Sequence, residues 1–356
     1  MRQSITKATT LSPASDLQFD WIMVLLTLWG IVGLFLDGWA HTNLPRLETF
    51  FTPWHGVLYS GYVAVAATLI IRSIRNLGEI PRENWARRWL EAIPAAYVPS
   101  LLGVVIFAVS GVGDLLWHVL FGIERSVEAL LSPTHLGLAI GGGLVATGPL
   151  RAAWQRSASE KGMSWRQLGP ALASIIFTLS LLTFFTEYVS PFVNPWPVYT
   201  GPFFAEFGPL LGIAGIIMYS GMLMSFVLLA LRRWQLPWGV FTLIFTLNTG
   251  LMSVFNPDIV PYLLPGVFLA GVAADIFYQT LRPSQERVTL VRFFAFIVPT
   301  TFFVCYFLNL AIVGPLQFQG GITWSIHFWT GACVIAGITG FLLSFVMFPP
   351  AIPNDG

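Results

Sequence analysis

Four of the five histidines in the sequence recur in two matched settings with acidic residues. The first reads Asp37-Gly-Trp-Ala-His41, followed by Glu48 and then Thr52-Pro53-Trp54-His55. The second reads Asp114-Leu-Leu-Trp-His118, followed by Glu128 and then Ser132-Pro133-Thr134-His135. Aspartate and the first histidine are four residues apart in both, and glutamate and the second histidine are seven apart in both. Only the middle gap differs: Glu48 follows His41 by seven residues, whereas Glu128 follows His118 by ten.

Residues four apart share one face of a helix, so each Asp-His pair points the same way from the end of its helix. Thr52 and Ser132 have the chemistry of a helix N-cap, with Pro53 and Pro133 at the first helical position. His55 and His135 then fall in the first turn, where the positive end of the helix dipole disfavours imidazolium and keeps the ring available as a ligand. Each copy thus offers two carboxylates and two imidazoles: Asp37, His41, Glu48 and His55, then Asp114, His118, Glu128 and His135. Without thiolate, this donor set suits copper(II), iron, zinc or manganese. In such a site a glutamate either binds directly or orients a histidine. Two other readings of the same residues stay open: a metal-free acid-histidine network that is structural or carries protons, and a haem held by two histidines.

These residues must be positioned by membrane-spanning helices. The chain is 55% hydrophobic and 10% charged, with a mean hydropathy of +0.73; soluble domains carry roughly 25% charged residues. Apolar runs of bilayer-spanning length predict an all-α polytopic bundle of about ten helices, near 18–41, 52–73, 94–120, 133–154, 168–189, 205–231, 237–255, 261–281, 290–313 and 324–348. Placing the N-terminus inside leaves only Arg46 and Arg125, of 18 Lys and Arg, on the outer side. The positive-inside rule therefore predicts a multi-pass protein of a bacterial inner membrane, with both termini cytoplasmic and the repeated acid-histidine groups near the periplasmic face. Met1 to Asp16 lacks the apolar core and cleavage site of a signal peptide. The organisation expected is a tail over 1–17, a duplicated four-helix metal-site region over 18–154, a six-helix region over 155–348 and a tail over 349–356. The two copies start and return on the same side, so they read as parallel repeats. Asn248 and Met252 before Leu264-Pro265-Gly266 are a candidate degenerate copy.

Other residues are secondary candidates. Glu124 is an alternative to Glu128, and Glu187, Glu206 and His327 fall near outer helix ends where they would line the same cavity or bond locally. Asp275 is expected to pair with Arg282 or the interface. Met218, Met222 and Met224, with Cys305 and Cys333, read as packing residues. Segment 74–92, with Trp85 and Trp89, is either a surface amphipathic helix or a charged loop. A net charge of +1 gives no reason to expect nucleic acid, and neither a phosphate-binding loop nor a nucleotide fingerprint is present.

Asp114-x-x-x-His118 followed by Ser132-Pro133-Thr134-His135 resembles the metal-binding motif of the membrane C subunit of particulate methane and ammonia monooxygenases. The resemblance implies copper ligation by Asp114, His118 and His135, and by Asp37, His41 and His55 in the first copy, with monooxygenase-like activity. The expected function is a membrane metalloprotein, an oxidoreductase dependent on copper or iron that takes a small apolar substrate through the lipid bilayer, with a redox partner or a second copy of the chain as associate. A proton-coupled or metal-ion transporter using the same network is the alternative.

Overall fold

The computed structural model describes residues 13–44, 50–77, 91–122, 127–156, 164–317 and 321–350. They form an all-α bundle, without strands among the described residues. In chain order the helices are α1 (Pro13–Asn43), α2 (Pro53–Leu77), α3 (Val98–Phe121), α4 (Val127–Leu131), α5 (Pro133–Ala146), α6 (Gly148–Gln155), α7 (Trp165–Phe185), α8 (Pro202–Arg233), α9 (Val240–Leu251), α10 (Val260–Leu281), α11 (Val288–Gln317) and α12 (Ile326–Met347). Nine spans among the described residues are long and apolar enough to cross a bilayer, α5 and α6 together making one of them.

The expected tenth span, 237–255, is shorter than the others. It consists of α9 and a 3-10 turn at Met252–Val254. Pro257 disfavours helix at Asn256, and Gly239 starts α9 from a left-handed conformation with φ 89°. Asp275 also differs from expectation. Instead of pairing with Arg282, it is buried on α10 and accepts from Phe241 N, Thr242 N and Thr242 Oγ1, the last at 2.6 Å. It thereby caps donors at the start of α9 that would otherwise be orphaned. The fourth span breaks at Thr147 because Pro149 supplies no backbone N–H. Arg151 reaches back to the Leu144 carbonyl at 2.9 Å and to Ala96 O and Ser100 Oγ, both at 2.8 Å.

Helix α7 is buried along most of its length and packs against α1, α5, α6, α8 and α9. Around it, α1 pairs with α2, α3 with α5, α9 with α10 and α11 with α12. The outward faces of α2 and α3 expose Val63, Ile70, Val105, Val109 and Val112, the kind of surface lipid covers. Segment 78–90 lies outside the described residues, so the amphipathic expectation for 74–92 falls there.

Helix association in a bilayer relies on close backbone approach at small residues. Both hairpins of the repeat use it at corresponding depth. A Cβ on Gly61 would stand 2.7 Å from Gly30 N, and one on Gly141 would stand 2.7 Å from Gly103 O and Phe107 N. At the end of α1 away from the histidines, buried Asp20 accepts from Tyr97 Oη at 2.6 Å and pairs with Arg156. These contacts tie α1 to the start of α3 and the end of α6.

Gly141→Leu should therefore force α3 and α5 apart, costing about 1–3 kcal/mol, and lower the melting temperature of the purified protein. Gly56→Ala, whose Cβ would meet nothing within 4 Å, should leave it unchanged or raise it slightly, since alanine favours the helix. Equal behaviour of the two variants would contradict the packing account.

Candidate metal centre

Asp37 and His41 occupy the last turns of α1, and His55 is the third residue of α2. Asp114 and His118 occupy the last turns of α3, and His135 is the third residue of α5. The caps form as the sequence implies. Thr52 Oγ1 accepts from His55 N at 3.2 Å, and Ser132 Oγ accepts from His135 N at 3.3 Å. Each hairpin thus brings three side chains to one point: Asp37, His41 and His55 in one, and Asp114, His118 and His135 in the other. Within each group the ligand atoms lie within 4.8 Å of one another.

The two groups are close copies in geometry. His41 and His55 have ring centroids 5.9 Å apart at 59°, and His118 and His135 are 5.8 Å apart at 56°. Every histidine turns Nε2 to its aspartate. His55 Nε2 is 3.4 Å and His41 Nε2 3.8 Å from Asp37 Oδ2. His118 Nε2 is 3.5 Å from Asp114 Oδ2, and His135 Nε2 is 3.2 Å from Asp114 Oδ1.

The other ring nitrogens explain why this matters. His55 Nδ1 lies 2.6 Å from the Phe50 carbonyl, and His118 Nδ1 lies 3.3 Å from the Gly122 carbonyl. A carbonyl only accepts, so Nδ1 donates, and in the neutral ring Nε2 carries the acceptor lone pair. Gly122 aims its carbonyl from φ 85°, a conformation that glycine adopts without penalty. His135 Nδ1 meets Ser132 Oγ at 2.8 Å. A neutral imidazole lone pair facing a carboxylate oxygen is repulsive unless a cation or a proton lies between them. A charge-assisted hydrogen bond would close the gap to roughly 2.7–2.9 Å. Two ligands bound tetrahedrally at roughly 2.1 Å stand ~3.4 Å apart, which matches His55, His118 and His135. Histidines that ligate through one nitrogen and donate from the other to a carbonyl are the usual arrangement at metal sites.

The copies differ in how the aspartate is held. Asp114 is 1% exposed and accepts from Thr134 Oγ1 at 2.9 Å. Trp54 stands where Thr134 does, and it packs edge-on against Trp39 instead. Asp37 Oδ1 is buried with no hydrogen-bond partner among the described residues, an acceptor that a cation would satisfy. Glu48 and Glu124 lie outside the described residues, and of Glu128 only its backbone place in α4 is described.

All six groups line one cavity of about 780 Å³. Phe50 stands between the triads, stacked on His55 at 4.9 Å and 6.0 Å from His118. Tyr59, one turn beyond His55 on the same face, lines the cavity with its hydroxyl buried and unpartnered among the described residues. Sequence reasoning missed both; the four-residue spacing from His55 would have found Tyr59. Glu187 also lines the cavity, as anticipated. Glu206 and His327 do not: both are exposed, outside the cavity wall. Cys305 and Cys333 are free thiols, and Met224 is fully buried in packing.

Comparison with family models, curated proteins and solved structures gave no match. Fold and site alone define the class: an all-α multi-pass membrane protein carrying two Asp-His-His groups able to hold a metal ion.

Glu187 follows α7 in a short turn, and burial pushes its carboxyl up from 4.5 to about 7. Its protonated form is the one the fold tolerates, so its contribution to stability is complete below about pH 4.5 and is lost as pH rises through 7. Glu187→Gln should flatten this part of the melting-temperature profile between pH 5 and 8. An unchanged profile would show that Glu187 does not titrate there.

Proposed function

We propose that the protein is a membrane metalloprotein that binds a transition-metal ion at each triad, one at Asp37, His41 and His55 and one at Asp114, His118 and His135. The observation that carries this reading is the pair of Nε2 atoms, of His55 and His118, held 3.4 and 3.5 Å from carboxylate oxygens while Nδ1 donates to a carbonyl on the far side of each ring. Buried charges in a membrane protein need partners, and a divalent ion supplies one to two imidazoles and a carboxylate at once. Glu48 and Glu128, placed equivalently in the two sequence repeats, are the added acidic ligands we propose.

Copper or iron suits the donor set and the local resemblance to the monooxygenase C subunit, and oxidation of a lipid-soluble substrate is the reaction class we infer. Such an ion would supply redox and Lewis-acid chemistry at the mouth of the cavity. The protein's own part is to fix the tautomers of His55 and His118 through Phe50 O and Gly122 O, to orient His135 through Ser132 Oγ, and to hold Asp114 through Thr134. It would also keep Tyr59 as a hydrogen-bonding group beside both triads. The distribution of Lys and Arg supports termini in the cytoplasm and triads near the periplasmic face of a bacterial inner membrane. Transport is the weaker reading. Among the described residues the acidic and histidine side chains of the cavity are confined to one end, whereas the sites of secondary transporters lie near the bilayer midplane.

Elemental analysis of the purified protein, reconstituted with copper, iron, zinc or manganese, should give close to two ions per chain. Asp37→Asn and Asp114→Asn should each keep one, and the double variant none, with melting temperatures confirming the fold. Protein that stays empty with every metal would overturn the reading, leaving a protonated acid-histidine network.

A further inference from the structure

The cavity is longer than a metal site requires. On α1 it runs from His41 to Leu26, about 22 Å at 1.5 Å per residue. On α2 and α5 it runs from His55 to Val65 and from His135 to Val145, about 15 Å each. Below the triads the lining is Leu, Ile, Val, Phe, Ala and Gly, with Thr27 and Tyr62 the polar exceptions. The Tyr62 hydroxyl is already spent on the Val104 carbonyl at 2.6 Å. Three lining polar atoms are buried without partners among the described residues: Tyr59 Oη and Asp37 Oδ1 at the top and Thr27 Oγ1 toward the far end. A slot with its acidic and histidine side chains at one end, and a shaft apolar but for Thr27 and Tyr62 covering about two-thirds of a ~30 Å hydrocarbon core, has the polarity of a lipid chain and its head.

We propose that this cavity holds one single-chain lipid: an unbranched hydrocarbon chain lying along α1 toward Thr27, with an oxygen-bearing head hydrogen-bonded by Tyr59 between the triads. This names the substrate class of the metal centre and rests on that reading for the head's surroundings, but the shaft stands on its own geometry. Two glycines set the bore. A Cβ at Gly30 would meet nothing within 4 Å, and one at Gly142 would meet only Leu181 at 3.8 Å. Each lies seven residues from a triad member, Asp37 or His135, which places both about 10 Å down the shaft. A larger side chain at either point grows into the cavity and not into a neighbouring helix. Replacing glycine also favours the helix, so these variants keep the fold while shortening the space available.

The test is equilibrium binding of radiolabelled palmitate, octanoate and hexadecane to the full chain in lipid nanodiscs, against empty nanodiscs, with metal content measured on each sample. The wild type should bind palmitate saturably at one per chain and hexadecane at least tenfold more weakly. Gly30→Leu and Gly142→Leu should each weaken palmitate at least tenfold and leave octanoate unchanged, whereas Tyr59→Phe should weaken palmitate and octanoate equally. Palmitate bound no better than to empty nanodiscs, or equally by wild type and both glycine variants, overturns the proposal. Hexadecane bound as well as palmitate overturns the oxygen-bearing head. Metal-replete protein that fails to bind palmitate refutes this inference alone. Palmitate bound with the predicted length dependence by protein that takes up no metal upholds the shaft and refutes the metal reading.

Discussion

Two electron pairs that face each other in a membrane interior repel, and the Nε2 atoms of His55 and His118 face carboxylate oxygens at 3.4 and 3.5 Å. The backbone imposes this opposition. It arises because the Phe50 and Gly122 carbonyls take the Nδ1 protons of His55 and His118. The far side of each ring therefore dictates what the near side must find. A proton would resolve the repulsion by making imidazolium, which the helix dipole opposes at His55, in the first turn of α2, and favours at His118, in the last turns of α3. A divalent cation resolves it with the rings neutral and accounts for separations wider than charge-assisted hydrogen bonds.

Everything else in the N-terminal half serves to hold two such points beside one space. Glycine contacts at Gly61 and Gly141 let the two hairpins close tightly, and the Asp20, Arg156 and Tyr97 cluster fixes their far end. Phe50 and Tyr59 fill the gap between the triads without closing the shaft below. Helix α7 seals that shaft with Leu181, Phe184 and Phe185. A buried helix on one side and paired helices on the other give a cavity whose acidic and histidine side chains gather at one end.

Much of this was legible from residue spacing. Asp37 with His41 and Asp114 with His118 needed only the helical repeat, and the Thr52 and Ser132 caps needed only their chemistry and the following prolines. The apolar runs located the spans to within a few residues, except where Asn256-Pro257 shortened α9. What stayed hidden depended on contacts between segments distant in sequence. Asp275 lies 33 and 34 residues from the Thr242 and Phe241 amides it caps, so a nearby arginine was the obvious but mistaken partner. Glu206 and His327 lie near helix ends as anticipated, yet they face outward, because depth along a helix does not specify azimuth. The shaft itself was invisible, since a glycine that leaves space and one that brings helices together are the same letter.

The central claim is that cations sit between these imidazoles and carboxylates. Anomalous X-ray scattering from crystals of metal-reconstituted protein tests it most directly. The account predicts one peak inside each triad, about 2.0–2.2 Å from the Nε2 atoms and an aspartate oxygen. Triads without peaks in metal-replete crystals, with Nε2 drawn to the carboxylates at about 2.7–2.9 Å, would contradict it and make the four histidines partners in a proton-bonded network.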